Sequence, residues 1–240
     1  MPMRLAVMQP YFFPYIGYFQ LVAAVDTFVF FNDVNFIKKG WINRNAILNH
    51  DQPQPFTIPL IKVSQNKKIS ETQVFNFAQW RKEFLEALTL NYKKAPQFTP
   101  AYDLISSVLF KYEAPMIDQL AAESVMAVSA FAGLKKEFLF SSAINYSGQG
   151  GQEKILDICK TLNAGTYINP KNGAHQYSRE VFAQNGVELL FLEAVGAKYE
   201  QFGGTFQPWL SIIDVLMFNP AATVAEMVGK YNLLTEVPAS

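Results

Sequence analysis

The first thirty-odd residues constrain this fold more than any later stretch. Arg4 to Met8 is a short apolar run closed by Gln9-Pro10, which reads as a buried strand. Pro14 then stands where a helix can begin, and Ile16, Phe19, Leu21, Val22 and Val25 supply one apolar helical face. Asp26 marks a turn, and Thr27 to Phe31, rich in β-forming residues, closes on Asn32-Asp33. The order is strand, helix, strand. Its connection is about the minimum a βαβ crossover requires, so the spacing predicts two parallel strands rather than a hairpin.

Further along, Phe36 to Asn49 reads as irregular and polar, and Pro53, Pro55 and Pro59 bracket one more short strand over Phe56 to Ile61. From about 75 to 135 the pattern is helical, with breaks expected at Pro96, Pro100 and Pro115. A second α/β stretch follows, with strands over Phe138–Phe140, Thr166–Ile168 and Val187–Phe191 and helices over Gln152–Leu162 and Ser178–Gln184. Trp209–Met217 and Ala221–Leu233 again read as helix. The expectation is a single α/β domain over 1–240, with a mostly parallel sheet drawn from 1–70 and 138–195 and flanking helices. A helical insert at about 75–135 and a C-terminal helical segment at about 205–235 complete it.

Composition narrows the function. Half the residues are hydrophobic, enough for a large core and incompatible with disorder of the whole chain. Lys plus Arg number 20 and so do Asp plus Glu, so the basic field needed for non-specific nucleic-acid binding is missing. Charged residues make up 17%, below the roughly 25% usual for soluble domains, while Phe numbers 21, Tyr 11 and Trp 3. That excess fits a broad pocket, a buried contact in a homo-oligomer or simply a thick core. With Cys159 alone, no internal disulfide and no cysteine-based zinc site can form; His50 and His175 are too far apart for a helical two-histidine metal motif. The N-terminus lacks a signal-peptide pattern and no run of about 18 apolar residues occurs, so a cytoplasmic protein without a transmembrane segment is expected.

Two constellations can carry chemistry. Gln9 to Tyr18 joins the first strand to the first helix, where open parallel sheets bind ligands and a helix N-terminus offers free N–H groups. Asn32 to Asn45 begins at the end of the second strand and gathers side chains suited to a polar ligand. Arg44 can grip an anion in a bidentate fork and Lys38 can supply a point charge. Asn43 and Asn45 can donate to and accept from sugar hydroxyls, Trp41 offers a flat face, and Asp33 can act as a general base. The competing reading is an asparagine-rich turn with a solvated charged hairpin. Ser147 to Lys154 has the glycine content of a phosphate loop but not the G-x-x-x-x-G-K-[ST] order, so a plain turn is favoured. Asn169 to Tyr177 is another loop after a strand, with Lys171 as a binding group and His175 as a titratable one. Cys159 is expected in the core, and Asp214 against a polar partner.

The ordered set Gln9-Pro10-x-x-Phe13-Pro14-x-x-Gly17-Tyr18-Phe19, Phe28-Val29, Asn32-Asp33-Val34 and Lys38-x-x-Trp41-x-Asn43-Arg44-Asn45 resembles the WbqC-like protein family. Trp80-Arg81, Asn91 to Pro96, Leu156 to Lys160, Gly165-Thr166-Tyr167 and Leu210 to Asp214 extend the resemblance along nearly the whole chain. It implies a role in synthesis of bacterial surface polysaccharide, the O-antigen of lipopolysaccharide. The implied activity is that of a transferase moving glycine or another small acyl group onto a nucleotide-linked amino sugar. The implied small-molecule partner is a nucleotide-sugar or an activated acyl or amino acid, and no cofactor is specified. The alternative is a non-catalytic sugar- or nucleotide-binding subunit of a polysaccharide-synthesis complex. The resemblance carries over no catalytic assignment; from their own chemistry Asp33 and His175 are the candidate catalytic residues. Gln9, Tyr18, Lys38, Trp41, Asn43, Arg44, Asn45 and Lys171 are the candidate substrate-binding residues. Asn32 stands where relatives usually carry Asp, which removes one carboxylate from any two-carboxylate metal site; no metal is expected.

Overall fold

Alternation along the first strand decides which way the sheet faces. In β1 (Arg4–Met8), Ala6 turns to one face while Leu5 and Val7 turn to the other, and all three are buried. Both faces of the sheet are therefore covered, as near-continuous apolar strands require. The structure is a computed structural model and describes residues 2–64 and 66–237. Helix α1 (Ile16–Ala24) returns the chain to β2 (Thr27–Phe30), which pairs parallel with β1 in the register Leu5↔Thr27 to Met8↔Phe30.

After β2 the chain leaves the sheet. β3 (Arg44–Asn49) and β4 (Gln52–Thr57) form a separate antiparallel hairpin, where an irregular stretch followed by a strand at Phe56–Ile61 was expected. The turn residues His50 and Asp51 both have positive φ, 44° and 60°, as a two-residue hairpin turn demands, but neither is the glycine that announces such a turn. Pro53 and Pro55 sit inside β4. The hairpin tolerates them because they share one parity, and their missing N–H groups fall on the open edge rather than on the ladder to β3.

The insert is helical as expected: α2 (Phe77–Tyr92), α3 (Phe98–Phe110) and α4 (Ile117–Phe131). Pro100 does not divide it; it lies in the first turn of α3, where its N–H would have no partner anyway. β5 (Glu137–Phe140) rejoins the sheet beside β2. Then follow α5 (Gly151–Thr161), β6 (Thr166–Pro170), α6 (Arg179–Gln184) and β7 (Glu188–Ala194). α7 (Ile212–Phe218) starts three residues later than expected, because Trp209 takes a left-handed φ of 60° and Ser211 caps the helix. α8 (Ala221–Val228) ends at Gly229, and Tyr231–Leu234, expected as helix, is strand β8 along β7. Its pairing with the open edge of β7 overrides a helical continuation.

The result is an α/β fold with a six-stranded sheet in the order β5-β2-β1-β6-β7-β8, in which only β8 runs antiparallel. Ala6, Phe28, Phe30, Ile168, Leu190 and Leu192 face the larger core with α1, the insert, α7 and α8. Leu5, Val7, Val29, Tyr167, Leu189 and Phe191 face a smaller one with Ile155, Cys159 and Phe182 of α5 and α6. Cys159 is a buried core residue, and burial pushes its thiol up to about 12. No helix among the described residues is long and apolar enough to cross a membrane.

Candidate functional site

From β1 the chain crosses to β2 on one side, whereas β6 and β7 lie on the other, so the strand order reverses between β1 and β6. There α1 packs on the larger core and α6 on the smaller, which opens a crevice beyond the strands' carboxyl ends. The register shows how: β1 and β6 pair only through Arg4↔Thr166 and Leu5↔Tyr167, whereas β6 and β7 pair over five residues. Past Leu5 and Tyr167 the two strands part, and a cleft of about 740 Å³ opens between them.

One wall of the cleft is the β1–α1 connection and the start of α1, with Tyr11, Pro14, Tyr15, Gly17 and Tyr18; the other is Pro170 at the end of β6 and Lys171 and Asn172 beyond it, with Leu192, Glu193 and Ala194 at the end of β7. Trp41 and Trp209 also line it and are 58% and 56% exposed. Tyr15 meets Trp209 edge to face at 5.9 Å. Gly17 is required by a close approach, since a Cβ there would stand 2.4 Å from the Tyr15 ring and 2.9 Å from Ala194 Cβ. The Tyr18 hydroxyl donates to Gln9 O at 2.9 Å, and burial raises Tyr11, Tyr15 and Tyr18 above the ordinary phenol range. These phenols are neutral, so the tyrosine wall recognises by shape and hydrogen bonding rather than charge. Charge is confined to one pair: Lys171 Nζ donates to Glu193 Oε1 at 2.7 Å.

The tyrosine wall rests on a strained residue. Phe13 is fully buried with a φ of 39°, a region that bulky side chains avoid. Its N–H donates to Ser124 Oγ at 2.8 Å, and its carbonyl accepts from Asn45 Nδ2 at 2.8 Å and Ser211 Oγ at 2.7 Å. Side chains from three distant segments thus fix the conformation of the connection that forms the cleft.

Of the residues singled out from sequence, Tyr18, Trp41, Asn45 and Lys171 line this cleft. Gln9, Lys38, Asn43 and Arg44 do not. Asn43 Nδ2 donates to Ile58 O at 2.7 Å, and the Arg44 guanidinium donates to Lys39 O and, at 3.1 Å, to Gly40 O. Arg44 thus closes the loop that carries Trp41, and it makes no ion pair with Asp33. Lys38 points into solvent.

Asp33 lies at the end of β2 in a separate network. Its carboxylate accepts from Ser141 Oγ and, at 2.6 Å, from Tyr146 Oη, while neighbouring Asn32 donates to the buried Asp118 at 2.8 Å. Burial first, and Asp33 second, raise the Tyr146 phenol far above its ordinary range. His175 is exposed in a second cleft beyond Lys171.

The Ser147–Gly151 loop offers no phosphate cradle, because its amides are already used. Asp157 accepts from the N–H groups of Ser147 and Gly148, and Glu153 from those of Gln149 and Gly150. Asp214, fully buried, accepts from Tyr92 (2.8 Å), Tyr199 (2.6 Å) and Gln201 (2.7 Å), the polar partners anticipated for it.

Glu193 and Trp209 were missed from sequence, although both left a signal. Glu193 is the one charge at the end of an apolar strand, and Trp209 is a large aromatic just after Pro208, where the spacing predicts a helix start that the structure moves to Ile212. No solved structure matches the chain. A protein of Mycobacterium tuberculosis (strain ATCC 25618 / H37Rv), described as uncharacterized protein Rv1507c, is 27% identical over 222 residues, covering 91% of this chain and 94% of that protein. Residues 9–226, which include both walls of the cleft, match one family along their whole length, and the chain belongs to the WbqC-like protein family.

Proposed function

We propose that this protein binds a nucleotide-linked amino sugar in the cleft between β1 and β6 and transfers glycine or another small acyl group onto it, in bacterial surface-polysaccharide synthesis. The observation that carries the reading is that two exposed tryptophans, Trp41 and Trp209, line one crevice at the reversal of strand order. Flat aromatic faces suit the C–H faces of a sugar or the plane of a base, and few convergent polar groups fix orientation in such pockets. In the proposed transfer the sugar amine attacks the acyl carbonyl, an N–C bond forms, the activating group leaves with its electron pair, and the amine gives up a proton. His175, open to solvent in the adjoining cleft beyond Lys171, is the proposed proton acceptor, whereas Asp33, held by Ser141 and Tyr146 at the end of β2, lines neither cleft.

A second reading, binding without turnover, is favoured by one observation. The carboxylate in the tryptophan cleft, Glu193, is paired with Lys171, which leaves no unpaired base beside the tryptophans. A thermal-shift screen with nucleotides and nucleotide-linked amino sugars, followed by a product assay with an activated glycine, separates the two. A ligand at 100 times its Kd adds about 2.7 kcal/mol, a shift of roughly 5–10 °C for a chain of this size. Stabilisation with product formation supports transfer, stabilisation without product supports the binding reading, and no stabilisation by any sugar nucleotide contradicts both.

A further inference from the structure

We propose that the cleft beyond Lys171 is an anion-binding subsite that takes a phosphate or diphosphate group. This cleft, about 960 Å³, is lined by Lys171, His175 and Arg179 together with Tyr177, Ser178 and the carboxylates Glu180 and Glu236. Lys171 and Asn172 line both it and the tryptophan cleft, so the two are separated only by the turn that leaves β6. That turn is held in place. A Cβ on Gly173 would stand 2.3 Å from Asn169 Nδ2, and Asn169 is itself buried.

The two cations are engaged unequally, Lys171 in a 2.7 Å pair with Glu193 and Arg179 only loosely. Arg179 lies 3.7 Å from Glu236, outside hydrogen-bond range, and the Glu236 side chain is 86% exposed. Of the carboxylates, Glu180 lines the cleft and accepts from Ser178 Oγ at 2.7 Å, while Glu193 lines the tryptophan cleft and accepts from Lys171 there. A loosely held guanidinium fork and an imidazole, beside an ammonium that can share its protons between Glu193 and a ligand, suit an anion with several oxygens better than a single carboxylate. The shared Lys171 places that anion within reach of whatever fills the tryptophan cleft. One ligand can then span both, its planar part against Trp41 and Trp209 and its phosphates against Lys171 and Arg179. The spanning claim rests on the functional reading above, whereas the anion subsite does not.

Isothermal titration calorimetry with inorganic pyrophosphate and, separately, with uridine diphosphate tests both claims on the full chain and on Arg179→Gln, Lys171→Met and Trp209→Ala. Arg179 is exposed on a short helix, so its replacement leaves folding intact, which circular dichroism checks. Pyrophosphate is expected to bind the wild type and to weaken tenfold or more in Arg179→Gln and in Lys171→Met, with no change in Trp209→Ala. Uridine diphosphate is expected to weaken in all three. Failure of pyrophosphate to bind, or affinity unchanged by Arg179→Gln, overturns the subsite. Pyrophosphate binding that depends on Arg179, with uridine diphosphate indifferent to Trp209→Ala, keeps the subsite as one for free phosphate and overturns the spanning ligand.

Discussion

Lys171 and Glu193 join the carboxyl ends of two adjacent strands through a 2.7 Å ion pair, one residue beyond the last registered pair of β6 and β7, Pro170↔Leu192. Both side chains are 38% exposed, so solvent screens the pair and its contribution to folding is small. Its place matters more, because Lys171 lines both clefts.

Lys171→Met is therefore expected to leave the melting temperature almost unchanged while weakening nucleotide-sugar binding tenfold or more, the usual cost of a lost charge-assisted hydrogen bond. The hydrogen bond from Lys171, and next the one from Asn232, hold the Glu193 carboxyl below its ordinary range. A carboxyl lowered in the folded state stabilises above its ordinary value of 4.5, and that contribution is lost as pH falls through the lower folded value. Binding assays above pH 5 thus meet an intact pair, and calorimetry at neutral pH checks the expected loss of affinity.

Asp214 behaves in the opposite sense. Burial raises its carboxyl above the ordinary range, against the pull of the hydrogen bonds from Tyr199, Tyr92 and Gln201. The folded chain then holds this proton more tightly than the unfolded one. The contribution is fully present below the ordinary value of 3.8 and is lost as pH rises through the raised folded value. Urea unfolding at a series of pH values should show that loss in the wild type and a flatter profile in Asp214→Asn. Asp214→Ala, which strands the buried donors of Tyr92 and Gln201 and the partly buried one of Tyr199, should cost roughly 3 kcal/mol or more.

The strained Phe13 backbone predicts a coupling between stability and the cleft. Asn45→Ala removes one of the two donors to the Phe13 carbonyl and should cost roughly 1–3 kcal/mol by chemical unfolding. Because Asn45 also lines the cleft, ligand affinity should fall with it, whereas a cavity variant remote from the cleft, such as Val224→Ala, should lower stability alone.

The parts legible in sequence are those set by local spacing. The β1–α1–β2 unit follows from one apolar run, one turn and one amphipathic stretch, and its parallel pairing follows from connection length. The hairpin at 44–57 was hidden because His50-Asp51 adopts left-handed backbone without glycine, and prolines usually speak against a strand. β8 was hidden because Tyr231–Leu234 differs little from a helix end until β7 offers its edge. The site was half legible for a related reason. Motifs near the N-terminus supply Tyr18, Trp41 and Asn45, but the facing wall comes from residues 170–209, and only the splay of β6 from β1 brings it opposite. Arg44 and Asn43 have the chemistry of ligand-binding residues, yet they spend it on the backbone of their own loop and hairpin.

The most direct test is tryptophan fluorescence on titration with a panel of nucleotide-linked amino sugars. Of the three tryptophans, Trp41 and Trp209 border the cleft, while Trp80 stacks on Phe84 and donates to Thr57 O at 3.0 Å away from it. At least one sugar nucleotide should change the wild-type emission saturably, and the Trp41→Phe/Trp209→Phe double variant, which keeps Trp80, should lose that change. A signal that survives undiminished in the double variant, or a wild type silent to the whole panel, would contradict the assignment of this cleft as the binding site.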